Sequence, residues 1–211
     1  MPLPSRQALV VVDTETTGFD AAGGHRIVEV ATVAIDDGAI GETWSSLVSP
    51  DRPIPAEATA VHGIDDAMVA AAPPAAQVAA ELRRRCGDRM LVFHHAAFDL
   101  AFLRPMLRRG GALPLHNPVI DTLGLARGLP GAGGHALEAL AARFDLPHQP
   151  KHRALGDALT TAQLLLRLAS RWASERGIGS WNELAAVSQD VLRRPGRATP
   201  APAREPAVAD A

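Results

Sequence analysis

The sequence has no tyrosine, a single cysteine (Cys86) and a single lysine (Lys151). A lone cysteine forms no internal disulfide and builds no thiolate metal site, so a metal in this chain is held by oxygen or imidazole. Cys86 itself reads as a small buried hydrophobe. Long apolar runs are missing as well: Ala8 to Val12 stops at Asp13, too short for a signal segment and far too short to span a bilayer. No membrane association is expected, and the expected location is cytoplasmic. A dominant charge of one sign is also absent, since 21 Lys+Arg against 23 Asp+Glu leave a formal charge of −2. Tight unaided binding of duplex DNA through its phosphates is not expected on that balance. A nucleic-acid enzyme stays open, because a carboxylate cluster neutralised by divalent cations can itself face a phosphate.

What is present is a chain of 211 residues, 47% hydrophobic and 21% charged, with a mean hydropathy of +0.03. Those values describe a globular protein large enough for one domain, a proper core and an appendage. Ala8 to Val12 reads as a buried strand that delivers Asp13-Thr14-Glu15-Thr16-Thr17-Gly18 at its C-terminal end. Ile27 to Ile35 and Ala39 to Val48 read as strands joined by an Asp37-Gly38 turn, which makes an antiparallel meander. Residues 49–74, punctuated by prolines, read as a crossover with short helices, followed by an amphipathic helix over Ala75 to Arg85. Met90 to Phe93 is a fourth strand, followed by a helix carrying Phe98, Asp99 and Phe102 that Pro105 should interrupt or kink and Gly110-Gly111 should end. Val119 to Asp121 is a fifth strand, Leu137, Leu140 and Ala141 mark another helix face, and Leu155 to Trp172 is a long helix. The pattern is an α/β fold: a mixed five-stranded sheet, antiparallel meander first and parallel strands after it, flanked by helices. There is no internal repeat. Ser180 to Leu192 fits one more helix, and the Pro/Ala/Arg-rich stretch from Pro195 onward is expected to be disordered.

Three weak signals are spread along this frame. Asp13 and Glu15 are two apart on a strand, so both carboxylates project from one face, an arrangement stable only with a shared proton or a cation between them. A divalent metal is one reading and an exposed acidic strand end the other. Asp99 sits in the first turns of its helix, where an acid is also favoured by the dipole alone, with Phe98 and Phe102 expected in the core and Asp99 on an adjacent edge. Asp157 opens the Leu155 helix. His152, five residues earlier, belongs to the loop leading in, either as a solvated residue or as one that swings towards a site at Asp157.

In order, Asp13-Thr-Glu15-Thr-Thr-Gly18, His94-His-Ala-Ala-Phe-Asp99 and His152-Arg-Ala-Leu-Gly-Asp157 resemble the motifs of the DEDDh 3′→5′ exonucleases. The likeness is to the branch of the proofreading ε subunit of bacterial DNA polymerase III and its stand-alone relatives. It covers roughly residues 8–172, with Val61-His62-Gly63-Ile64 and Asp121-Thr122 in similar places. The sister class uses a tyrosine four residues before the last aspartate; here that position is Arg153, so only the histidine version is open. One departure is His95, where many relatives have asparagine, which leaves the capping of the Asp99 helix unexplained.

The resemblance implies a ribonuclease H-like fold and an exonuclease domain, placed at residues 1–175; pattern and composition add a C-terminal helix within 176–194 and a disordered tail at 195–211. It implies a two-metal hydrolase that trims single-stranded DNA 3′ ends to 5′-mononucleotides in proofreading or repair, with a DNA polymerase as partner and DNA favoured over RNA. Asp13, Glu15 and Asp157 would hold one Mg²⁺, Asp13 and Asp99 the other, with Mn²⁺ as a substitute, and His152 would be the general base. Thr16 and Thr17 would contact the terminal nucleotide, with His62 near its base. An RNA-trimming exoribonuclease, or a silent polymerase- or nucleic-acid-binding module on the same fold, are the alternatives. The presence of all four acids and His152 argues against the silent module.

Overall fold

A computed structural model describes residues 7–131 and 133–193; the tail expected at 195–211 lies outside them. The chain forms β1 (Leu9–Thr16), β2 (Ile27–Asp36), β3 (Ala39–Leu47), α1 (Ala56–His62), α2 (Asp66–Val69) and α3 (Ala75–Cys86). It continues through β4 (Met90–Phe93), α4 (Ala96–Arg109), β5 (Val119–Asp121), α5 (Thr122–Arg127), α6 (Leu137–Arg143), α7 (Ala154–Arg176) and α8 (Trp181–Arg193). The five strands form one sheet in the order β3-β2-β1-β4-β5. β1, β2 and β3 pair antiparallel, while β4 and β5 join parallel to β1.

The β2–β3 hairpin closes as expected, with Asp37 (φ 52°) and Gly38 (φ 78°) both in the left-handed region that a tight two-residue turn requires. β1 runs past the apolar Ala8 to Val12 stretch and carries Asp13 and Glu15 on the strand, as expected, pairing Asp13 with Ala31, Thr14 with Val30 and Glu15 with Glu29 before a register shift at Thr16. The long apolar β2 supplies the ladder, and backbone pairing there does not depend on whether the side chains are polar.

Side-chain alternation along β1 builds the two halves of the core. Leu9 and Val11 face a layer that includes Leu125, Leu140, Leu164, Leu168 and Trp172, drawn from α5, α6 and α7. Val10 and Val12 face Val78, Leu82, Phe102, Leu103 and Met106, drawn from α3 and α4. Continuing the alternation sends Asp13 and Glu15 to the α7 side and Thr14 to the α4 side.

The interruption expected at Pro105 does not occur: α4 continues as helix through it to Arg109. Proline withholds one backbone bond, to the carbonyl of Ala101, which is exposed to water, while Phe102, Leu103, Met106 and Leu107 are buried on the flanking turns and hold the helix in place. α7 is longer than expected and ends at Gly177, which caps it at φ 69°. The further C-terminal helix is present as α8, packed on α5 and β5 so closely that a side chain at Gly124 would collide with the Ser188 backbone. No helix among the described residues is long and apolar enough to cross a membrane.

Candidate active site

β1 and β4 run parallel, so their C-terminal ends open on one edge of the sheet, and the helix after β4 starts there. That edge collects the acids. Asp13 and Glu15, half-buried, meet Asp157 from the first turn of α7, and one carboxylate oxygen from each lies within 4.8 Å of the others. Asp99 comes from the opposite side. The residue is 4% exposed, and its carboxylate accepts a 2.8 Å hydrogen bond from the Thr14 hydroxyl. This reverses the expected arrangement in α4: Asp99 is buried rather than on an edge, and Phe98 is only partly buried. Phe102 is the core aromatic, and Phe98 stacks tilted between it (5.1 Å) and the exposed Phe19 (6.4 Å).

The electrostatics follow from burial and, for the three clustered acids, from crowding of like charge. Burial, then Asp99, Asp157 and Glu15, push the Asp13 carboxyl well above its ordinary value. Burial and the charge of Asp157 push Glu15 up to about 8. Burial raises Asp99 to about 7 against the opposing hydrogen bond from Thr14, and raises Asp157 to about 6 against the opposing effect of His152. Carboxyls crowded and buried so that each binds its proton more tightly than an ordinary carboxyl form an all-oxygen donor set that fits a divalent metal ion.

His152 lies on the loop before α7, as expected. Its backbone N–H donates to Asp157 Oδ2 at 3.0 Å, its φ of 53° makes the loop turn sharply, and its half-exposed imidazole places Nε2 3.4 Å from Glu138 Oε1. Lys151 Nζ shares the same Glu138 oxygen at 3.6 Å.

A cavity of about 580 Å³ opens beside the acids, lined in part by Glu15, Thr17, Phe19, His62, Phe98 and His152. Both threonine hydroxyls are committed within the protein. Thr16 donates to the Gly18 carbonyl at 2.7 Å, and Thr17 Oγ1 accepts the Arg26 N–H and lies 3.0 Å from His25 Nδ1. They brace the floor of the cavity. His62 differs: Nδ1 accepts the Ile64 N–H at 3.0 Å, which leaves the proton on a buried Nε2 that has no hydrogen-bond partner among the described residues. Burial lowers its pKa, with the nearby Thr16 backbone opposing in part, so the ring is a neutral donor beside the cavity.

The capping question raised by His95 is answered from β5. His95 adopts the left-handed conformation (φ 77°) open to asparagine, and the α4 cap is the Asp121 carboxylate. That group accepts from His95 N (3.0 Å), Ala96 N (2.8 Å) and Leu123 N (2.9 Å), so one buried acid starts both α4 and α5. His94 is a brace, with its two ring nitrogens 2.9 Å from Thr122 Oγ1 and 3.0 Å from the His135 carbonyl.

Sequence reasoning missed Glu29 and Glu138. Glu29 carried a signal, being the one charged residue in the apolar run Ile27 to Ile35, where a buried charge demands a partner. Glu138 carried none.

The family model of the RNase_T exonucleases matches residues 10–165. Among curated relatives, a DNA polymerase III subunit epsilon-like protein of Rhodobacter capsulatus is 46% identical over 164 residues, 75% of this chain but 23% of that protein. The DNA polymerase III subunit epsilon of Aquifex aeolicus is 32% identical over 85% of this chain and 89% of its own length. Among solved structures, exonuclease X in complex with 5′-overhanging duplex DNA superposes with a TM-score of 0.68 at 32% identity, covering 85% of this chain and 99% of that one.

Proposed function

The chain belongs to the RNase_T exonuclease family, and on that premise we propose that it hydrolyses single-stranded DNA from the 3′ end, releasing 5′-mononucleotides in proofreading or repair. The observation that carries this reading is the set of three carboxylates with oxygens within 4.8 Å, at the edge of a cavity that offers Phe19, 88% exposed, and Phe98 as aromatic surfaces. Bases stack on such rings without regard to sequence, as a trimming enzyme needs. The exonuclease X relative, solved with an overhanging duplex, supports DNA as the substrate.

Asp13, Glu15 and Asp157 would hold one divalent cation, and Asp13 with Asp99 a second. Mg²⁺ is the expected ion and Mn²⁺ the substitute, since both prefer oxygen ligands. When bound, such ions neutralise the phosphate and lower the pKa of water. His152 takes the proton of the attacking water on its imidazole, which must turn from the Glu138 contact to do so. Thr16 and Thr17 hold the backbone that faces the terminal nucleotide, and His62 Nε2 donates to an acceptor on its base or sugar.

The proposed exonuclease unit is residues 1–175. The helix within 176–194 is fastened to it through Ser188 Oγ, which accepts the Asp121 N–H at 3.1 Å. With a formal charge of only −2, hold on the DNA would be brief without help, and the polymerase III names of the relatives point to a DNA polymerase as the partner, in the cytoplasm.

Incubating 5′-labelled single strands of DNA and RNA with Mg²⁺, with and without EDTA, tests this. A DNA ladder shortening from the 3′ end, slower digestion of RNA, no digestion in EDTA and none by Asp13→Ala are expected. Digestion by Asp13→Ala at the parental rate would overturn the site.

A further inference from the structure

Glu29 is buried near the start of β2, between β1 and β3, and both of its carboxylate oxygens are hydrogen-bonded. Arg153 meets it in a two-point contact, Nε to Oε2 at 3.1 Å and Nη2 to Oε1 at 2.7 Å, and the Ala154 N–H adds a third bond to Oε2 at 2.9 Å. A planar guanidinium on a planar carboxylate fixes orientation as well as distance. Glu29 is the direct cross-strand partner of Glu15. Arg153 follows His152 and precedes the helix that carries Asp157. One ion pair therefore joins the strand pair bearing Asp13 and Glu15 to the segment bearing Asp157 and the imidazole, across 124 positions of sequence. That segment needs an external hold, because His152 is in a left-handed conformation that residues other than glycine adopt only under constraint. Its other side-chain ties, Lys151 and His152 to Glu138, are longer and exposed.

We propose that Glu29 and Arg153 are positioning residues of the hydrolytic site: their contact holds Asp157 and His152 in register with Asp13 and Glu15, so that the carboxylates converge on one cation. This rests on the metal-dependent nuclease reading above. Two plainer roles make opposite predictions. If Arg153 served only as a counter-charge to the acids, removing it would tighten cation binding. If the pair served only to stabilise the fold, its loss would lower the melting temperature and leave the affinity of the folded protein unchanged.

The test compares the full chain with Arg153→Ala, Arg153→Lys, Glu29→Gln and the double variant Glu29→Gln/Arg153→Ala. Mn²⁺ affinity is read from the free-ion electron paramagnetic resonance signal, kcat and KM from a single-stranded oligonucleotide, and folding from circular dichroism. Arg153→Ala is expected to weaken Mn²⁺ binding by ~10-fold or more, the range seen when an outer partner of a metal ligand is removed. kcat should fall in parallel, with the oligonucleotide KM within about twofold of the parent. Arg153→Lys should recover part of the loss, and the double variant should be no worse than the worse single, as for residues acting as a unit. Unchanged or tighter Mn²⁺ binding by folded Arg153→Ala overturns the proposal, as do additive losses. Should Arg153→Ala not fold, the lysine and Glu29→Gln variants carry the same test. The two readings fail separately: a parent that binds Mn²⁺ but leaves DNA intact overturns the nuclease reading, while the Mn²⁺ comparison still decides the role of the pair.

Discussion

Thr14 donates its hydroxyl proton to Asp99 Oδ1 at 2.8 Å, so the residue between the two acids of the β1 motif holds the acid delivered by α4. The strand thereby serves both faces of the sheet: its odd positions present carboxylates to α7, and its intervening threonine secures the carboxylate from the other side. Because the bond favours the ionised form, Thr14→Val, which keeps the shape and removes the donor, should raise the Asp99 pKa further above about 7. Carboxyl carbon NMR of the metal-free protein checks the shift. The acid limb of the pH–rate profile should move to higher pH in the same variant, and an unmoved Asp99 resonance would contradict the assignment.

His152→Ala separates the proposed base from the proposed metal ligands. The rate should fall ~10²–10⁴-fold, the usual contribution of a positioned general base. Mn²⁺ binding should survive, because the hydrogen bond from residue 152 to Asp157 uses the backbone N–H, which alanine retains. An unchanged rate would remove His152 from the mechanism.

Gly156 lies in the first turn of α7, where a Cβ would overlap the Pro150 carbonyl on the loop that leads to His152. Gly156→Ala must displace that loop. Overpacking of this kind destabilises by about 1–3 kcal/mol, and activity should fall beyond what the stability loss explains. Thermal melts alongside kcat measure the two effects. By contrast, Gly63→Ala meets no neighbouring atom but forces alanine to φ 71°, so it should lower stability without displacing the carboxylate cluster.

Stability of the metal-free protein should fall as pH rises. Glu15, Asp99 and Asp157 are raised to about 8, 7 and 6 in the folded state, so between ordinary carboxylate values and about 8 the folded chain holds more protons than the unfolded one. More protons bound by the folded state means that stability is present at low pH and is lost as pH climbs through those values. Mg²⁺ should reverse the trend, raising the melting temperature more at pH 8 than at pH 5, because it displaces the protons that the acids otherwise retain. Melting curves at both pH values, with EDTA or Mg²⁺, decide this. An equal shift at both would mean that the cation does not sit among these carboxylates.

Local pattern was enough to find the strands, the hairpin, the long α7 and the three motifs, because hydrophobic period, turn chemistry and residue spacing are properties of neighbouring residues. It also placed Asp13 and Glu15 on one face, since alternation along a strand is local. An interruption at Pro105 did not follow, because the lost backbone bond is outweighed by side chains buried against other elements, and Phe98 is less buried than expected, since its exposure depends on what lies opposite. Asp121 as the cap of α4, the meeting of Thr14 with Asp99 and the grip of Glu29 on Arg153 join residues 25, 85 and 124 positions apart. Which acid would be buried and which half-open, and whether His152 faces Glu138 or the carboxylate cluster, were settled only when β1, β4 and α7 packed together. The chemistry of an acid is written in its side chain, but its charge state and direction depend on the dielectric and the neighbours that folding supplies.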